Sequence, residues 1–108
     1  MSHNVATSTV DYRMVVKFAG YTGSLAPLAD AIEKSLVDHI ANEGVATVQA
    51  YFVRARHDDI EVGLRFSGIE LHYLEDTAKD LITAAIEDAS MAEHAPRHRR
   101  VSTSLVGV

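Results

Sequence analysis

The chain has 108 residues and no cysteine. That excludes disulfide staples, thiolate metal sites and cysteine nucleophiles. No apolar run approaches the roughly 20 residues that a membrane-spanning helix needs. Residues 1–9 are polar and hold no apolar signal core, so they read as a flexible N-terminal segment. A soluble, intracellular, cytoplasmic protein is the expectation. Glycine-rich nucleotide loops are missing too. The one candidate, Gly20-Tyr21-Thr22-Gly23-Ser24, matches neither the P-loop nor the dinucleotide spacing and lacks the lysine. It reads as a turn followed by a helix cap. Neither a catalytic motif nor a metal or cofactor signature stands out, so the sequence speaks first about architecture and only indirectly about function.

Six segments with changing hydrophobic period are present. From about Val10 to Ala19, Tyr12, Met14, Val16 and Phe18 alternate with Asp11, Arg13, Val15 and Lys17, a strand of period two. Leu25, Leu28, Ile32, Leu36 and Ile40 then recur every three or four residues, the stripe of an amphipathic helix. Ser24 suits its start, Pro27 is tolerated in the first turn, and Gly44 suits the left-handed position past its end. Val45 to Arg56 and about Ile60 to Ser67 read as two strands of a hairpin. A second helix starts between Glu70 and Leu74, carries Leu74, Ala78, Leu81, Ile82, Ala85 and Ala89 inward, and fades before Pro96. A final strand covers about Arg100 to Val106, where β-branched residues are frequent.

The order β-α-β-β-α-β resembles the split βαβ arrangement of the ferredoxin-like α+β superfold over about Val10 to Val106. Right-handed crossovers place both helices on one face of a four-stranded antiparallel sheet. Residues 10–108 are therefore expected to form one domain, which is near the common domain size. The superfold serves enzymes, sensors, RNA binders and structural oligomers, and so implies no particular activity.

The hairpin register decides what lies on the sheet face away from the helices. If Val48, Ala50 and Phe52 face inward together with Ile60, Val62, Leu64 and Phe66, the connecting loop needs an odd number of residues. A three-residue loop at His57-Asp58-Asp59 would then set Phe52 opposite Leu64 and Tyr51 opposite Arg65. On that reading the open face has an apolar middle of Val15, Tyr51 and Val53, flanked by Arg13, Lys17 and Arg65. These six residues are the expected binding site.

Two uses suit such a surface. It can pack against a copy of itself, with apolar centre and polar rim, giving a homo-oligomer, most simply a dimer. Alternatively it can take an anionic ligand or acidic partner. General nucleic-acid affinity is not expected at a formal charge of −5, and the outward positions of the third strand, Glu61, Gly63 and Arg65, offer no aromatic to stack a base. The charge is unevenly placed. The two helices hold ten acids and two bases, and the rest of the chain holds eight bases and five acids.

The histidines give weaker signals. His94 and His98 are four apart, but Pro96 between them breaks the helix that would align them on a metal. His57-Asp58-Asp59 is explained as a turn, and His39 as a helix-surface residue. A small cofactor-free enzyme would need a pocket between sheet and helices holding Tyr12, Tyr73 or His72. The paired acids Glu75-Asp76 and Glu87-Asp88 point about 100° apart on a helix and do not converge on one substrate. Arg97-His98-Arg99-Arg100 is the densest positive cluster, a candidate contact for the acidic helices or for an acidic neighbour. The expected function is binding and assembly, with no catalytic residue assigned.

Overall fold

A computed structural model of the chain describes residues 9–21, 23–43, 47–95 and 97–107. The elements are β1 (Thr9–Phe18), α1 (Ala26–Glu43), β2 (Val48–Ala55), β3 (Asp59–Ser67), α2 (Leu71–Ala92) and β4 (His98–Gly107). They form one antiparallel sheet of order β2-β3-β1-β4 with two helices, the ferredoxin-like α+β fold. The expected flexible segment, Gly44, Val45 and Pro96 lie outside the described residues, except that Thr9 opens β1 opposite Ser67.

Period-two alternation builds β1 and β3 as expected. Val10, Tyr12, Met14, Val16 and Phe18 are buried, as are Ile60, Val62, Leu64 and Phe66, and the two sets pair directly across the strands. The helix stripes close over them. Leu28, Ala29, Ile32 and Leu36 from α1 join Leu74, Ala78, Leu81, Ile82, Ala85, Ile86 and Ala89 from α2 in the same core. Removing these side chains from water is the main force holding the layers together, about 1.5–3 kcal/mol for each large one.

Local signals set the helix ends. The Ser24 hydroxyl accepts the Ala26 N–H at 3.2 Å, and the Leu25 carbonyl accepts the Ala29 N–H at 2.9 Å. Ser24 thus stands one residue ahead of the cap position and still satisfies one of the free amides of the first turn. At the end of α2, His94 takes a left-handed conformation, φ 52°, where glycine is usual, and the Ala95 N–H closes on the Ser90 carbonyl at 2.9 Å. Among the described residues no helix is long and apolar enough to cross a membrane.

The hairpin differs from expectation. The Arg56 N–H donates to the Asp59 carbonyl at 2.8 Å, so the connection is the two residues His57 and Asp58. Tyr51 then pairs with Leu64, Phe52 with Gly63 and Val53 with Val62. The cause is a bulge at Gln49. Val48 pairs with the inward Phe66, but the extra residue before Ala50 moves every later β2 side chain to the other face. Tyr51, Val53 and Ala55 therefore share the helix side, and Ala50, Phe52 and Arg54 share the open side. A second bulge opposite Val15/Val16 does the same to β4. Thr103 and Leu105 sit opposite Met14 and Tyr12 on the helix side, whereas after the bulge it is Arg100 and His98 that lie opposite Val16 and Phe18.

Candidate functional site

The open face is assembled from alternate residues of four strands. β1 contributes Asp11, Arg13, Val15 and Lys17, β3 contributes Asp59, Glu61, Gly63 and Arg65, β2 contributes Phe52 and Arg54, and β4 contributes Ser102, Ser104 and Val106. Four of the six expected residues, Arg13, Val15, Lys17 and Arg65, are brought together here. Tyr51 and Val53 are not, because the Gln49 bulge turns them to the helix side. Val53 packs against the core there, and Tyr51 remains 41% exposed because β2 is an edge strand.

Phe52 takes the centre that had been expected of Tyr51 and Val53. Its ring lies on Gly63 so closely that any β-carbon there would collide with Phe52 Cε2. A glycine in a central strand often marks such a close approach, with a neighbouring aromatic covering the backbone that it bares. The guanidinium carbons of Arg13 and Arg54 stand 5.6 and 5.2 Å from the ring centroid, within cation–π range. A shallow groove of about 230 Å³ runs beside the ring, bounded by Asp11 and Arg13, Ala50 and Phe52, and Gly63 and Arg65.

The bases that β1, β2 and β3 bring to this face are already matched by acids of the same chain. Arg65 grips Asp11 with two hydrogen bonds of 2.7 and 3.0 Å. Lys17 Nζ is 3.1 Å from Asp58. Glu61, only 7% exposed, receives Arg54 at 2.5 Å and lies 3.8 Å from Arg13 and 3.9 Å from Arg56. Arg56 also reaches Asp59 at 3.0 Å. The hydrogen bond from Arg65, with the charges of Arg65 and Arg13, holds the Asp11 carboxyl below the usual aspartate value, and Lys17 does the same to Asp58. A free anion arriving among these bases would have to displace a carboxylate from each one that it engaged.

Sequence reasoning missed Phe52, Arg54 and the pairing role of Asp11 and Glu61. One signal was legible. Asp11 and Arg13 on β1, with Glu61 and Arg65 on β3, all occupy odd positions of strands whose even positions are apolar. Opposite charges on neighbouring strands at facing positions attract one another before any ligand is considered.

The other candidates do not converge. His39 Nε2 and Ser35 Oγ both bond the same oxygen of Asp88, at 2.7 and 3.3 Å, and His39 Nδ1 lies 3.4 Å from Glu43. Serine and histidine each turn to the carboxylate and not to one another, so this is a tie between α1 and α2 and does not build a nucleophile. His39 is thereby more than the surface residue expected, and its pKa is raised, chiefly by the Asp88 hydrogen bond. Tyr12 is 1% exposed and burial raises its phenol, but it sits among close-packed core side chains. The rings of His72 and Tyr73 touch at a tilt of 42°, with centroids 4.0 Å apart, on the exposed start of α2. The His98 ring packs against Phe18, with centroids 5.7 Å apart. The Arg97–Arg100 cluster is divided, with Arg99 opposite Lys17 on the open side and Arg100 opposite Val16 on the helix side. Among the described residues no three His, Asp or Glu side chains gather closely enough to hold a metal ion. No protein-family model, curated protein or solved structure matches the chain.

Proposed function

We propose that this protein is a cytoplasmic binding and assembly module that associates with a second copy of itself through the open face of its sheet. The observation that carries this reading is Phe52, half-buried on Gly63 and ringed by arginines whose charges are internally matched. Aromatic and arginine side chains dominate the energetics of protein interfaces, whereas lysine and unpaired acids are depleted at their centres. Bases already bonded to Asp11 and Glu61 shed less water on contact than free ones and offer little to a separate anion. Val15 and Val106 extend the apolar part of the patch on either side of the ion pairs. The functional residues of this reading are Arg13, Val15, Lys17, Phe52, Arg54 and Arg65.

Sedimentation of the parent against Phe52→Asp and Arg54→Glu tests it, with circular dichroism to confirm folding. The parent is expected above monomer mass and both variants below the parent. A monomeric parent, or variants that keep its mass, would remove the open face as an interface.

A further inference from the structure

The two edges of the sheet are built differently. β2 is protected. It carries the bulge at Gln49, the charged Arg54, and side chains half-buried on both faces. β4 is bare. Every residue from Arg99 to Gly107 is exposed, and between Val101 and Gly107 there is neither a charge nor a proline. Val101 at 44%, Leu105 at 44% and Val106 at 56% are among the large apolar side chains left in water. Natural sheets blunt an edge with lysine, proline or a cover, because a row of unpaired amides and carbonyls accepts any further strand. Here only the beginning of the strand is blunted, by Arg99, Arg100 and the bulge.

We infer that β4 is a second interface, at which it pairs antiparallel with β4 of another copy of this chain, with Thr103 on the two-fold axis. The sequence of the strand is complementary to itself in that register. Thr103 meets the partner's Thr103, Ser102 meets the partner's Ser104, and Leu105 meets the partner's Val101, the extra residue that the bulge leaves unpaired with β1. The serine pair lies on the open face and the threonine pair on the helix face, as direct partners in an antiparallel ladder must. Two apolar pairs flank a threonine pair, each a favourable cross-strand combination. Charge selects the direction. Antiparallel pairing sends the Arg99-Arg100 pair of the two strands to opposite ends, whereas a parallel in-register pair would stack four guanidinium groups side by side. Phe52 lies on β2, at the opposite edge of the sheet from β4, so although Ser102, Ser104 and Val106 also border the open face, substitutions at Phe52 and at Thr103 address the two interfaces separately.

The absence of native cysteine makes a direct test possible. At a two-fold pair the α-carbons stand about 4.5–5.5 Å apart, inside the range that a disulfide spans. Oxidised Thr103→Cys is expected to run as a covalent dimer, while Asn42→Cys, exposed in the last turn of α1, stays monomeric. Failure of Thr103→Cys to cross-link above the Asn42→Cys control overturns the inference. Sedimentation separates it from the open-face reading. In a Phe52→Asp background the expected species is a dimer, and adding Thr103→Lys, which places two ammonium groups face to face, brings it to monomer. If Phe52→Asp alone is already monomeric, the edge pairing falls and the open face stands. If Phe52→Asp keeps the parent mass and Thr103→Lys halves it, the edge pairing stands and the open face falls.

Discussion

Gly63→Ala tests the centre of the candidate site through stability alone. An alanine in a strand is ordinarily about 0.5–1 kcal/mol better than glycine, because less backbone freedom is lost on folding. Here the new methyl group would collide with Phe52 Cε2 and stand only 2.6 Å from Cζ and 2.7 Å from Cδ2. No adjustment of a few tenths of an ångström relieves that, so the ring must leave its seat. A half-buried phenylalanine forfeits about half of a full burial, roughly 1–1.5 kcal/mol. The two cation–π contacts at 5.6 and 5.2 Å go with it, at about 0.5–1 kcal/mol each for exposed sites. Against the backbone gain the net loss is about 1–3 kcal/mol, which lowers the melting temperature by about 5–15 °C in a domain of this size. The assay is urea and thermal unfolding of Gly63→Ala, Phe52→Ala and the double variant. In the Phe52→Ala background the methyl group meets no ring, so Gly63→Ala should become stabilising by about 0.5–1 kcal/mol. A Gly63→Ala protein as stable as the parent, or an effect of equal sign in both backgrounds, would refute the register that seats Phe52 on Gly63.

Two further outcomes follow from the charges. His39 has its pKa raised above 6.5 by the Asp88 hydrogen bond, so it holds a proton more tightly folded than unfolded. That stabilisation is complete below the unfolded value of about 6.5 and disappears as pH rises through the folded value. The melting temperature should therefore fall across this window in the parent and much less in Asp88→Asn, and an unchanged slope in Asp88→Asn would show that the tie between α1 and α2 carries no linkage. Glu61→Gln keeps the shape of a side chain only 9% exposed but strips the counter-charge from Arg13, Arg54 and Arg56. Because those arginines are about half in water, the expected cost lies low in the range for charged hydrogen bonds, about 1–2 kcal/mol. A urea midpoint equal to that of the parent would mean that the cluster contributes nothing.

Element order, helix faces and the inward sets of β1 and β3 were legible because each rests on a repeating pattern that burial enforces along the whole element. Tyr12, Met14 and Val16 cannot leave the core without exposing every second residue of the strand. β2 was not legible in the same way. Its residues Ala50, Tyr51, Phe52 and Val53 are apolar in succession, so either face could be turned inward on hydrophobicity alone. The bulge at Gln49 decided between them, and no residue there announces it. β4 was ambiguous for a related reason, since its own bulge changes which residues look toward the helices halfway along the strand.

The amino-acid sequence by itself determined the ferredoxin-like plan, because hydrophobic period, caps and turns are local properties that survive without knowledge of the partner strand. It also determined that the acids concentrate on the helices and the bases elsewhere. Only the tertiary structure decided that Phe52 rather than Tyr51 occupies the open face, that Arg13, Arg54 and Arg65 there are held by Asp11 and Glu61, and that β4 is left exposed among the described residues. The physical reason is that register, ion pairing and edge exposure depend on which residue comes to lie opposite which, and a single extra residue in one strand reassigns all the residues that follow it.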